Sequence, residues 1–171
     1  MENKYLDLKD QPMTDIVKNL TDDYHVYFQR EMKDLATLTT TILRVHGREH
    51  QELSKVHRLY GIIQINLVQR MIKEKADIFP LIKIYDKRPR KELIEEIFQE
   101  KKLLESEEDD IKALFKELNK ITNGYLPPQG ACATYERAYD SLKEFELKVL
   151  EYLKIEDEIL YPRLENELNN V

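Results

Sequence analysis

The residues best suited to chemistry lie in one eleven-residue stretch that the chain contains twice. The first copy is Arg70-Met-Ile-Lys-Glu74-Lys-Ala-Asp-Ile-Phe79-Pro80 and the second is Tyr152-Leu-Lys-Ile-Glu156-Asp-Glu-Ile-Leu-Tyr161-Pro162. Each sets a polar residue four positions before a glutamate and then reaches an aromatic-proline pair, read here as a helix stop. Positions i and i+4 share a helix face, so each copy aims two polar groups in one direction. Carboxylates held together in this way can bind a cation, share protons or pair with arginine.

The residues leading into each glutamate indicate that this direction is inward. Val56, Tyr60, Ile63, Leu67 and Arg70 precede Glu74, and Ala138, Leu142, Phe145, Val149 and Tyr152 precede Glu156, at alternating steps of four and three. That spacing is the apolar seam of a bundled helix, so Arg70, Glu74, Tyr152 and Glu156 take seam positions. Charge buried at a seam is costly unless it is paired or bound to a metal. A third seam glutamate, Glu108, falls between Leu104 and Leu118 at the same steps.

The elements that must position these groups are helices. A short polar arm over 1–13 ends near Pro12, and Thr14 or Asp15 is placed to cap a first helix reaching about Val45. His25 shares a face of that helix with Phe28, Met32 and Leu35, and Gly47 breaks it. The second helix runs from about Gln51 to Ile78. A charged connector over Lys83 to Arg90 then leads to a third helix opened by Pro89. Thr122-Asn123-Gly124 closes the third helix, and Pro127-Pro128-Gln-Gly130 leads into a fourth over about Ala133 to Glu167. Four amphipathic helices with short links imply an all-α, up-down-up-down bundle over 14–171. That topology gathers His25, Arg70, Glu74, Glu108, Tyr152 and Glu156 at one end.

Composition excludes several partners. A net charge of −6 spread along 171 residues argues against a nucleic-acid or anionic-membrane surface. The charged Met1 to Val17 stretch is no signal peptide, and no apolar run approaches a membrane span. The single cysteine, Cys132, forms no internal disulfide and fits a reducing, cytoplasmic compartment.

Four motifs carry a resemblance: Arg44-Val45-His46-Gly47, Lys73-Glu74 with Ile78-Phe79-Pro80, Pro127-Pro128-Gln-Gly-Ala131-Cys132, and Ile155-Glu156 through Tyr161-Pro162-Arg163. In these, over Tyr24 to Leu164, the chain resembles the hemerythrin-like domain of the Repair of Iron Centers family. The proteins of that family are di-iron proteins of iron–sulfur cluster repair. The resemblance implies a hemerythrin-like bundle in which four histidines and two bridging carboxylates hold two irons. It carries over His25 as a terminal imidazole and Glu74 and Glu156 as the bridging carboxylates. Arg70, Glu108 and Tyr152 stand where the family pattern has histidine. No counterpart of the family's N-terminal cysteine-bearing domain is expected in this sequence.

The departures leave two readings open. Arg70 cannot ligate a metal, but its guanidinium can replace one ion of a pair by binding carboxylates. Three carboxylates against one arginine leave two negative charges, which call for a divalent cation, shared protons or water. One iron, manganese or zinc ion held by His25, Glu74 and Glu156, with Glu108 joining and Tyr152 as a phenolate donor, meets that need. The protein then handles iron, or responds to oxidative or nitrosative stress, with an iron–sulfur or redox protein as partner. In the other reading no metal binds, Arg70 and the glutamates form a structural network, and the bundle is a protein-binding module. His46 and His50 have the i, i+4 spacing of helical zinc ligands. They sit at a helix corner roughly 30 Å along the helix from His25 and are read as corner residues. Cys132 is read as a small buried residue with no general base beside it.

Overall fold

The computed structural model describes residues 8–169, with residues 105–109 described by their backbone alone. The described residues form helices and no strand. In chain order these are α1 (Met13–Asn19), α2 (Val26–His46), α3 (Glu52–Lys73), α4 (Phe79–Lys87), α5 (Lys91–Lys102), α6 (Glu105–Ile121), α7 (Ala133–Ile155) and α8 (Tyr161–Leu168). Three π-turns, Leu20–His25, Glu74–Ile78 and Glu156–Leu160, join α1 to α2, α3 to α4 and α7 to α8 without a break. The eight segments thus make four rods. The α1–α2 rod packs on the α3–α4 and α7–α8 rods, and the α5–α6 rod closes the ring between those two.

The repeated aromatic-proline pair is therefore not a stop. Both rods run on through Pro80 and Pro162, each the second residue of its new α-segment. The reason lies in the turn before it. The Phe79 N–H donates to the Glu74 carbonyl and the Tyr161 N–H to the Glu156 carbonyl, five residues back rather than four. One surplus residue widens the turn, and the missing proline N–H falls in a first turn, where no intrahelical acceptor is needed. The expected connector over Lys83 to Arg90 is also largely helical. Ile82 and Tyr85 are buried, and the break narrows to Arg88, Pro89 and Arg90.

Neither Thr14 nor Asp15 caps the first helix. That helix begins at Met13 after Pro12, and the Thr14 N–H donates instead to Asp86 Oδ2 at 3.2 Å. The end of the N-terminal arm joins the core, since Leu8 and Met13 are buried and Arg163 donates to the Gln11 carbonyl. The two seams read from the sequence are fully inward, from Val56 to Leu67 and from Ala138 to Val149. Phe28, Tyr60, Phe115 and Phe145 interlock at the bundle's centre with ring centroids 5.7–6.4 Å apart. They form a water-excluding floor beneath the polar end. Gly124 (φ 75°) turns the chain out of α6, with its N–H on the Asn119 carbonyl at 2.8 Å. Among the described residues no helix is long and apolar enough to cross a membrane.

Candidate functional site

Each π-turn delivers a polar residue to the same layer. His25 is the last residue of the first, Glu74 the first residue of the second and Glu156 the first residue of the third. Arg70 and Tyr152 stand one turn before the two glutamates, in the last turns of α3 and α7. All five are removed from solvent, with exposures of 3% for His25, 1% for Arg70 and 0% for the other three. The fourth rod brings Glu108 within α6; its side chain lies outside the described residues.

The layer is wired across the two copies of the repeat. Arg70 Nε lies 2.7 Å from Glu74 Oε1 and Arg70 Nη2 2.5 Å from Glu156 Oε2, so one guanidinium ties both carboxylates. The other oxygen of Glu74, Oε2, faces a different pair. It accepts a hydrogen bond from the Tyr152 hydroxyl and lies 3.0 Å from His25 Nε2. His25 Nε2 in turn lies 3.3 Å from the Tyr152 oxygen. Phe79 stacks on the His25 ring at 5.7 Å, and the Arg70 guanidinium sits 6.0 Å from the centre of the Tyr152 ring.

Burial decides the protonation states. It pushes the His25 imidazole down to about 4, against attraction from Glu156 and with the help of Lys75 and Arg70, so the ring is neutral at pH 7. Its contact with Glu74 is thus a hydrogen bond rather than an ion pair. Burial also raises Glu74, against Arg70 and the hydrogen bonds from Tyr152, Glu156 and Arg70. It lifts the Tyr152 phenol well above its ordinary value, helped by Glu156 and Glu74. For Arg70, burial pulls down, but Glu156 and Glu74 overcome it and hold the guanidinium charged. Two carboxylates, one guanidinium and a neutral imidazole leave one negative charge among these side chains. A single proton or one bound cation closes the balance.

This geometry provides a donor-set test. Two ions bridged by Glu74 and Glu156 do not fit, because the Arg70 guanidinium already spans those carboxylates. Among the described residues no three His, Cys, Asp or Glu side chains form a metal-binding group. His25 and Glu74 do meet, and the third donor atom beside them is the phenolic oxygen of Tyr152. One nitrogen and two oxygens within 3.3 Å of one another can serve one ion, provided that the shared protons leave. Glu156 faces Arg70 rather than this trio.

The π-turns themselves were missed by the sequence reading, and inward spacing does not mark them. Leu20, Tyr24 and Phe28, then Glu74, Ile78 and Ile82, then Glu156, Leu160 and Leu164 are inward at steps of four and four, but so are Leu59, Ile63 and Leu67 within the unbroken helix α3. The reading of Cys132 also needs correction, first because the residue is exposed and not buried. The loop after α6 returns over the end of α2 and places His46 Nε2 3.1 Å from Cys132 Sγ, so a base does stand beside the thiol.

The sequence profile of the hemerythrin HHE cation binding domain matches residues 17–164. The chain is 26% identical over 157 residues to the iron-sulfur cluster repair protein YtfE of Yersinia pseudotuberculosis serotype IB (strain PB1/+), covering 92% of this chain and 68% of that protein. The protein of the same name from Yersinia pestis (strain Pestoides F) matches with the same identity and the same coverage.

Proposed function

The chain belongs to the hemerythrin HHE cation binding domain family, and from that premise we propose that it is an iron-handling protein of the repair type with one ion site in place of two. The observation that carries this reading is the division of Glu74. Its Oε1 is held by Arg70, while its Oε2 converges with His25 Nε2 and the Tyr152 oxygen. His25, Glu74 and Tyr152 would hold the ion, with Glu156 as the neighbouring carboxylate. Iron bound there would supply electron transfer and affinity for small diatomic ligands, which is the chemistry of a response to oxidative or nitrosative stress.

The remaining residues have supporting roles. Arg70 supplies the charge of the missing second ion and fixes the orientation of both carboxylates. Phe79 and Phe28 pack against His25 and Tyr152 and keep water from the layer. The neutral His25 offers a lone pair without first losing a proton. Tyr152 and a protonated Glu74 must release theirs, so affinity rises with pH and is weaker than for a layer of neutral imidazoles. The oxygen-rich donor set favours ferric iron or manganese. An iron–sulfur or redox protein remains the partner that this reading calls for.

One observation favours a second reading, a metal-free bundle acting as a protein-binding module. Arg70 already ties Glu74 to Glu156, and one shared proton makes the described side chains of the layer neutral. Metal content per chain separates the readings, measured on untagged protein from iron- and manganese-replete cells. About one ion per chain, lost in Glu74→Ala and His25→Gln, is the expected result. Two ions per chain would refute the role given to Arg70. No metal, with a melting temperature indifferent to chelator, would leave the protein-binding module.

A further inference from the structure

The opposite end of the bundle holds a second chemical group of residues that the iron reading does not use. Cys132 is exposed and is the one cysteine of the sequence. It occupies the N-cap of α7 in extended backbone geometry, where the helix is capped by no side-chain hydrogen bond. Its sulfur is 3.1 Å from His46 Nε2, at the last turn of α2, across a separation of 86 residues. The His46 ring is set against the buried Tyr135 ring at 5.5 Å, and Tyr135 also meets His50 at 5.6 Å. A soft nucleophile and an imidazole base in hydrogen-bond reach, with the base held by a packed aromatic, is the arrangement that activates a thiol.

A cavity beside the pair indicates what could reach it. It is about 120 Å³ in volume and lined by Thr41, Ile42, Val45, His46, Cys132 and Thr134. Apart from the reacting pair the lining is uncharged, with two hydroxyls and two aliphatic side chains. Space on the order of four water molecules suits one half of a two- or three-carbon disulfide and not a tripeptide.

We propose that Cys132 and His46 form a site for thiol–disulfide exchange with small, uncharged disulfides. The Cys132 sulfur attacks one sulfur of the disulfide as its proton passes to His46 Nε2. The reagent's S–S bond breaks, and its electron pair leaves on the departing sulfur, which takes the proton from His46. The products are a mixed disulfide on Cys132 and one molecule of free thiol, with no other oxidant required. The sequence holds no second cysteine to displace the adduct, so it persists until an external thiol reverses it. The site is independent of the polar layer, roughly 30 Å away along α2, and of whether that layer holds an ion.

The test uses bis(2-hydroxyethyl) disulfide at pH 7, with the adduct followed by intact mass. The full chain is compared with a short peptide of residues 127–136 in the same buffer. The folded chain should react about tenfold faster than the peptide, and His46→Gln should remove most of that gain. It should also prefer this reagent over glutathione disulfide by about tenfold more than the peptide does, because of the cavity's size. A folded chain that reacts no faster than the peptide overturns the proposal, whether or not His46→Gln folds. An unchanged rate in a folded His46→Gln variant overturns the role of the imidazole, and loss of the size preference overturns that of the cavity.

Discussion

Replacing Arg70 by methionine keeps most of the side-chain volume and removes the one buried cation among the described residues. Glu74 and Glu156 then face each other in a site from which water is excluded. The loss has an upper bound, because the fold can accept a proton instead of an unpaired charge. Glu74 is already raised, so the extra proton falls on Glu156. Protonating a carboxyl of ordinary pKa about 4.3 costs about 3.7 kcal/mol at pH 7 and about 1 kcal/mol at pH 5, at about 1.36 kcal/mol per pH unit. The first figure agrees with the roughly 3–5 kcal/mol expected for a broken buried pair. The sign follows from linkage. A carboxyl whose folded pKa is raised contributes stability below its unfolded value and loses it as pH rises. The variant should therefore be worst at neutral pH and recover toward the wild type in mild acid. Urea unfolding of chelator-treated wild type and Arg70→Met, followed by far-ultraviolet circular dichroism at both pH values, measures the difference. A destabilisation that is equal at pH 5 and 7, or below about 1 kcal/mol at pH 7, would refute the wiring of Arg70 to both carboxylates.

Three further outcomes are expected. His25 is lowered from 6.5 to about 4 by burial, so the unfolded chain takes up its proton first as pH falls. The stability advantage of the metal-free wild type over His25→Gln should shrink by about 3 kcal/mol between pH 7 and pH 4; a constant difference in urea unfolding would show that the ring is not neutral in the fold. Deleting the exposed Ala76 removes the surplus residue of the π-turn at Glu74 and leaves the register of α4 intact. It should cost about 2 kcal/mol or less, whereas deleting Ile65 within α3 turns the rest of the seam about 100° away from the core and should abolish the thermal transition. Tyr152→His replaces a phenol by an imidazole and should raise the iron content per chain; unchanged content in plasma mass spectrometry would remove Tyr152 from the ion site.

The helical class and the inward direction of both seams could be read from apolar spacing alone, because a bundle enforces that spacing over many turns. The gathering of His25, Arg70, Glu74, Tyr152 and Glu156 followed from topology, since antiparallel rods bring alternate ends together. Three things were not legible for physical reasons. Proline is read as a stop because its missing N–H and its ring spoil an ordinary α-turn, yet a π-turn before it removes both objections. Which oxygen of Glu74 faces which partner depends on rotamers that a residue pattern does not encode. The meeting of His46 with Cys132 depends on the path of an irregular loop, for which hydrophobic period gives no signal.

The repeat explains why the layer is asymmetric. Arg70 and Tyr152 occupy equivalent positions in the two copies, as do Glu74 and Glu156. Each of the first pair reaches across to the other copy's glutamate: Arg70 to Glu156, and Tyr152 to Glu74. Two arginines at these positions would bring like charges together in a dry core, and two tyrosines would leave both carboxylates without a counter-charge. One of each splits the layer into a half neutralised by a fixed cation and a half that still offers donors. In the one-ion reading proposed above, Arg70 stands in place of the second ion and makes the layer tolerable in the metal-free chain, because without it Glu74 would carry its charge, or its proton, alone. On this argument Arg70→Met should tighten the binding of a divalent ion at the remaining site, because two carboxylates without a counter-charge then face it, and Arg70→His is the substitution that should restore a second site.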